Sequence, residues 1–292
     1  MALTINTNMS SLIVQKNLNA ATSMLNKSIE RMTTGYKINH AADNAAGYSI
    51  ATTWKTQLGS LDVASDNAST GADMLTTLED TYSLITSHLQ RVRDLTEQAA
   101  NGTYGSDSLK AIASEITARL EEIDRISANC EFNGLKMMDG SLTDDINLQV
   151  GLYSDAASRI ALDASLFQNG HVSALFKTFG GVGGATVAEV AKLCSGYDGK
   201  QITGGQNEML NKIDAVISEI SARTTTLGAA QNRIESAVES INVQSENITS
   251  SLSTLRDADV AEESSNYIKA QILQQASATL LATANQTPSI AL

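Results

Sequence analysis

Residues 210–255 read LNKIDAVISEISARTTTLGAAQNRIESAVESINVQSENITSSLSTL. Leu210, Ile213, Ile217, Ile220, Thr224, Leu227, Gln231, Ile234, Val238, Ile241, Ser245, Ile248, Leu252 and Leu255 follow one another in alternating steps of three and four. That alternation is the seam of a heptad helix, interrupted by polar groups only at Thr224, Gln231 and Ser245. At ~1.5 Å per residue the helix is roughly 70 Å long, far past the globular mean. One helix cannot bury such a stripe, so partner helices are required.

The partners lie in the N-terminal half. Leu75, Leu78, Tyr82, Ile85, Leu89, Val92 and Leu95 repeat the spacing. After Asn101-Gly102-Thr103-Tyr104-Gly105, a break of the length that joins packed helices, a shorter run follows: Leu109, Ile112, Ile116, Leu120 and Ile123. Glu115 and Arg119, like Glu121 and Arg125, stand four apart on the polar face. The only proline is Pro288, so nothing before it blocks a helix by ring clash or a missing donor. The expected class is mainly α: a long coiled-coil-like helical bundle.

Both ends carry weaker stripes. Leu18, Ala21, Leu25, Ile29 and Met32 form one, and Ile268, Ile272, Ala276 and Leu280 the other, with Leu273 beside it. Each is diluted by small and polar residues and set off by a polar interruption, Thr33-Thr34-Gly35 or Arg256-Asp257-Ala258-Asp259. Helices with so thin an apolar face are marginal alone and order when something ties them down. Terminal helices that order on assembly are therefore expected. Leu12, Leu18, Leu25, Ile29, Ile268, Ile272, Leu273 and Leu280 are the candidate subunit-interface residues.

The middle changes character. Ile146-Asn147-Leu148-Gln149-Val150 alternates with period two and, with Ile160-Ala161-Leu162, predicts a small β-hairpin region. From Gly170 to Gln206 the chain is Gly-rich, with a short helical run at Val187–Leu193, and reads as an exposed insert.

Composition excludes more than it offers. Lys+Arg 20 against Asp+Glu 32 gives a net charge of −12, which argues against a nucleic-acid binder held by a basic surface. Three histidines (His40, His88, His171) and two cysteines cannot build a His-rich or four-cysteine metal site. No phosphate loop, metalloprotease helix or nucleophile elbow occurs, so no enzyme, cofactor or metal is expected. Cys130 and Cys194 could form one bridge, but read better as two buried or free thiols. The pairs Asp144-Asp145, Glu121-Glu122 and Glu262-Glu263 read as solvated charges. Asn101-Gly102-Thr103 and Asn247-Ile248-Thr249 match the glycosylation sequon, a cheap match. The terminal stripes lack the Lys/Arg-rich flanks of membrane-surface helices. The opening MALTINTNMSSLIV has neither a basic n-region nor an apolar run, so no secretory signal peptide is expected and the composition alone suggests the cytosol.

Several motifs resemble bacterial flagellin. Met1-Ala2 with Ile5-Asn6-Thr7-Asn8 is similar to the family's opening, and Ile29-Glu30-Arg31-Met32-Thr33-Thr34-Gly35-Tyr36-Lys37-Ile38-Asn39 matches its signature. Ala42-Asp43-Asn44-Ala45-Ala46-Gly47 continues it, with Asn44 where an acidic residue is common. Leu89-Gln90-Arg91-Val92-Arg93-Asp94-Leu95, Phe132-Asn133-Gly134, Leu227-Gly228-Ala229-Ala230-Gln231-Asn232-Arg233 and Ala270-Gln271-Ile272-Leu273-Gln274-Gln275-Ala276 follow in the family's order.

The resemblance implies a structural subunit that polymerises into the extracellular flagellar filament for swimming motility, which replaces the cytosolic expectation. It implies N-terminal and C-terminal inner-tube helices at 1–45 and 255–292, a rod core domain from 46–175 and 206–254, and a short exposed insert at 176–205. It implies export of the unfolded chain by the flagellar type III apparatus with a chaperone, and contacts with hook-associated and cap proteins. It also implies a surface for Toll-like receptor 5 around Gln90, Arg91, Leu95 and Glu115, with Gln231 nearby; Leu95 also continues the heptad stripe. Rival readings are a hook–filament junction protein, a soluble helical secretion partner and an enzyme with a catalytic insert.

Overall fold

The computed structural model describes residues 8–176, 186–198 and 206–286. Helices α1 (Met9–Thr34), α2 (Ala45–Ala100), α3 (Ser106–Asn129), α4 (Val172–Leu175), α5 (Val187–Ser195), α6 (Gln206–Arg256) and α7 (Val260–Gln286) dominate it. Strands β1 (Glu131–Phe132), β2 (Leu135–Lys136), β3 (Ile146–Gln149) and β4 (Arg159–Leu162) form two hairpins. Two compact units divide inside the long helices: residues 1–59 with 244–292, and residues 60–243.

The long helices are rich in Thr, a poor helix former by propensity. Its hydroxyls are largely satisfied on the helix itself: Thr76, Thr77, Thr81, Thr86 and Thr96 of α2 each donate to the carbonyl four residues earlier, at 2.8–3.0 Å. Such back-bonding adds little helix stability, so packing must supply it.

In the unit of residues 60–243 that packing is a three-helix core. Leu75, Leu78, Tyr82, Ile85, Leu89, Val92 and Leu95 of α2 meet Leu109, Ile112, Ile116, Leu120 and Ile123 of α3, all buried. From α6, Ile213, Ile220, Leu227, Ile234 and Ile241 are buried, each seven residues from the last. The other half of the expected α6 seam, Ile217, Thr224, Gln231 and Val238, is half-buried, and Met209, Val216 and Ala230 go inside instead. Polar ties lock the helices together: Gln231 Nε2 donates to Glu79 Oε2 at 2.9 Å, and Arg93 pairs with Asp214. Tyr82 Oη, 1% exposed, donates to the Leu166 carbonyl at 2.8 Å and pins the chain after β4 to α2.

The predicted hairpin forms as β3 and β4, with Ile146 opposite Leu162 and Leu148 opposite Ile160. It lies against α2 where Gly71 leaves room: a Cβ there would sit 2.3 Å from Leu148 Cδ1. The β1–β2 hairpin is a gain over the sequence reading, which used Phe132-Asn133-Gly134 only as a family match. Asn133 (φ 48) and Gly134 (φ 81) make its two-residue turn, the left-handed pair that Asn-Gly adopts readily.

Cys130 and Cys194 are free, buried thiols, as the blander reading holds. Burial pushes the Cys194 thiol up to about 12, so it is un-ionised and inert at neutral pH. Part of the segment 176–205 is not exposed. α5, opened by a Thr186–Glu189 capping box, buries Val190, Ala191 and Cys194, and it packs on α3. The Gly-rich runs at 180–184 and 204–205 lie outside the described residues.

Charge is divided unequally between the units. Residues 1–59 and 244–292 hold seven Lys/Arg and seven Asp/Glu; residues 60–243 hold the remaining 13 and 25 and so carry the whole −12. Among the described residues no helix is long and apolar enough to cross a membrane, and no group of three potential metal ligands occurs.

Candidate assembly surface

α1 and α7 pair as an antiparallel hairpin along their length. At its open end Asn8 caps α1, accepting from Ser11 N, and its Nδ2 donates to the Ala284 carbonyl at 2.8 Å. Midway, Gln274 Nε2 donates to Thr22 Oγ1 at 3.2 Å. Near the turn, Arg31 Nη1 donates to Glu263 Oε1 at 2.7 Å.

The seam is built from small residues. Ala21 and Ser28 of α1 are buried seven apart, as are Glu263, Ala270 and Ser277 of α7. Small side chains let helix axes approach closely, but they remove little apolar area from water. Glu263, read from sequence as a solvated charge, is 6% exposed because it occupies a seam position and is neutralised by Arg31.

The large apolar residues point away from this seam. Leu12 is 53% exposed, Ile29 44%, Ile268 54%, Ile272 60%, Leu273 43% and Leu280 57%; Leu18 and Leu25 are half-buried. Met9, Ile13, Met24 and Met32 are exposed as well. A single chain thus leaves apolar ridges on both helices of the hairpin, far more than scattered surface leucines require. Sequence reasoning found these residues as contacts between copies and placed Ala21 in the first stripe, but it missed Ser28, Ala270 and Ser277 as seam residues.

The signature residues form a clasp at the turn of this unit. Gly35 ends α1 with φ 75 and donates to the Arg31 carbonyl at 2.8 Å, a left-handed cap suited to glycine. Lys37 N then donates to the Arg256 carbonyl at 2.7 Å, and Ala258 N to the Gly35 carbonyl at 2.8 Å. The Arg256 guanidinium lies 4.1 Å from the Tyr36 ring centroid, within cation–π range. Ile38, 4% exposed, packs beneath Gly47, whose N–H donates to Asn44 Oδ1 at 2.9 Å. Asn at this position therefore caps α2 as an acid would.

Asp43 completes the clasp, accepting from Lys27 at 2.7 Å and from the amides of Asn39 and His40 at 3.2 Å. The Lys27 hydrogen bond first, then the backbone donors, hold its carboxyl at about 2. A depressed folded value stabilises the fold above the ordinary carboxylate value of 3.8 and loses that contribution as pH falls toward 2. Circular-dichroism melts should therefore show the wild-type margin over Asp43→Asn shrinking between pH 4 and 2.

The receptor-surface residues divide. Gln90 and Arg91 are exposed, and Arg91 pairs with Glu115 at 2.9 Å. Leu95 is 2% exposed, so it belongs to the three-helix core and offers no outward contact. Gln231 is tied to Glu79, twelve residues before Arg91 on α2, or roughly 18 Å along the helix, and is not brought to the Arg91–Glu115 pair.

The family models for the bacterial flagellin N-terminal helical region and C-terminal helical region match residues 5–143 and 210–291. A flagellin of Bacillus subtilis is 33% identical over 302 residues, covering 97% of both chains. The flagellar filament 33 kDa core protein of Treponema phagedenis is 30% identical over 291 residues, covering 97% of this chain and 96% of its own. Among solved structures, a putative flagellar hook-associated protein from Vibrio parahaemolyticus shares the fold, at a TM-score of 0.61 and 13% identity over 74% of this chain and all of its own. Matches at both ends, near-complete coverage by flagellins and a helical hairpin with apolar ridges converge: the chain belongs to the bacterial flagellin family, structural and not catalytic proteins that polymerise into the extracellular flagellar filament.

Proposed function

We propose that this flagellin assembles by burying the outward ridges of α1 and α7 in neighbouring copies, with Leu12, Leu18, Leu25, Ile29, Ile268, Ile272, Leu273 and Leu280 as the contact residues. The observation that carries this reading is the inversion of the hairpin: Ala21, Ser28, Ala270 and Ser277 are inside while Ile272 and Leu280 are outside. Each ridge residue removed from water contributes about 1–3 kcal/mol, which many copies supply and one cannot. Contacts that repeat head to tail without closing give an open helical polymer. Leu280→Asp and Leu18→Asp are expected to give a folded, soluble chain that forms no filaments under electron microscopy; normal filaments from both would refute the contact assignment.

The same reading covers export and partners. A thin hairpin seam and the absence of any disulfide suit a chain carried unfolded through the type III apparatus with a chaperone. The free ridges are equally suited to hook-associated and cap proteins, whose family resemblance lies in similar terminal helices. Docking to Toll-like receptor 5 is supported here only by the exposed Gln90 and Arg91 and the half-buried Glu115 paired with Arg91.

A further inference from the structure

The chain contains three Asn-Gly pairs, Asn101-Gly102, Asn133-Gly134 and Asn169-Gly170, and the fold holds them in three different states. We propose that Asn101 is a site of spontaneous covalent modification, deamidating through a cyclic imide while the other two are protected.

The chemistry needs only water. The Gly102 backbone nitrogen gives up its proton to solvent base and attacks Asn101 Cγ; the Cγ–Nδ2 bond breaks and ammonia leaves with a proton. The resulting five-membered imide is opened by water at either carbonyl, giving aspartate or its β-linked isomer. Nothing is oxidised or reduced: an amide and a water become a carboxylate and ammonium. Glycine as the following residue speeds the attack because no side chain obstructs its nitrogen.

Freedom to bring that nitrogen onto Cγ separates the three sites. Asn169 is held on both sides of its amide, Nδ2 donating to the Asp139 carbonyl at 3.3 Å and Oδ1 accepting from His171 N at 2.8 Å. The attacking Gly170 nitrogen is buried and donates to the Met138 carbonyl at 3.0 Å. Asn133 is exposed, but it sits in a left-handed turn between the paired residues Phe132 and Leu135. Ring closure there requires the turn to unpair. Asn101 lies in the connection between α2 and α3 with Gly102 and Thr103, all exposed, and Gly102 has no other group within 4 Å of where a Cβ would sit. Its side-chain tie is long, Oδ1 accepting from Thr103 N at 3.4 Å; on the backbone its carbonyl accepts from Tyr104 N at 3.4 Å and its N–H donates to the Gln98 carbonyl at 3.2 Å, which leaves Cγ free to turn. The Thr103 bond also polarises the carbonyl under attack. Connections of this kind open at little free-energy cost, whereas paired and buried segments must first unfold locally.

The consequence is a new negative charge, and for the β-linked product an extra backbone carbon, at one end of both α2 and α3. An extracellular filament is beyond the reach of the cell's turnover, so the product accumulates with age.

The three asparagines fall in separate tryptic peptides, 94–110, 126–136 and 160–177, so one digest reads all of them by mass spectrometry. Full-length chain, soluble and as filaments, is incubated at mildly alkaline pH beside the same chain in denaturant. Conversion at Asn101 is expected about tenfold or more faster than at Asn133 and Asn169 in the native samples, with all three similar in denaturant. Gly102→Ala, which the open space at 102 accommodates, should slow Asn101 alone. Native conversion at Asn101 no faster than at Asn133, or no slowing by Gly102→Ala, would overturn the proposal.

Discussion

Tyr82→Ala is expected to lower the unfolding free energy of the unit of residues 60–243 by about 3–5 kcal/mol, the cost of deleting a fully buried aromatic ring. Tyr82, a member of the α2 stripe, is 1% exposed, and its hydroxyl satisfies the Leu166 carbonyl. Burial holds the phenol in its neutral, donating form by raising its ionisation above the ordinary 10.0. The conservative Tyr82→Phe separates the two roles: it keeps the ring and leaves only the carbonyl unpaired, at about 1–3 kcal/mol. Denaturant unfolding followed by circular dichroism reads both. Equal losses for Ala and Phe would mean that the hydrogen bond, and not the packing, supports this part of the core.

Glu263→Ala acts on the other unit. It leaves the Arg31 guanidinium in the hairpin seam without its counter-charge, with Arg31 Nε already buried and unpartnered. Breaking a fully enclosed pair costs about 3–5 kcal/mol; Arg31 keeps 27% of its side chain in water, so about 2 kcal/mol is expected. For so thin a seam that is a large share of the stability. Amide exchange across residues 9–34 and 260–286 should accelerate, and filament yield should fall. The pair also sets alignment. Ala21, Ser28, Ala270 and Ser277 repeat every seven residues and would tolerate a heptad slip, whereas Arg31 opposite Glu263 fits one register. Replacing both by apolar residues, Arg31→Met with Glu263→Leu, should restore stability but not assembly. Normal filaments from that double variant would show that register is fixed elsewhere.

The three-helix core was legible because its physics is local to one chain. The heptads at Leu75–Leu95 and Leu109–Ile123, and every second seam position from Ile213 to Ile241, find partners within residues 60–243, so there periodicity in sequence became burial in structure. The hairpin defied the same logic. Ile272 and Leu280, read from their thin stripe as contacts between copies, stay exposed, while the seam that joins the two helices is built from alanines and serines. The misplaced receptor residues follow the same rule in reverse: Leu95 was offered as a surface contact although its place in the α2 stripe already demanded burial. The β1–β2 turn carried the strongest short hairpin signal available, Asn-Gly, and was passed over because it was used only as a family landmark.

Stacking many identical objects is hardest where each bears the same sign of electricity. Here the hairpin unit is balanced, and residues 8–29 with 264–286 hold only Lys16, Lys27 and Lys269 and not one carboxylate, while the unit of residues 60–243 bears twelve surplus anions. Mutual Coulomb repulsion in a growing fibre therefore falls mainly on the latter units, where added electrolyte shields it. The proposed apolar contacts hold almost no ions to shield, so brine should ease that repulsion without weakening them.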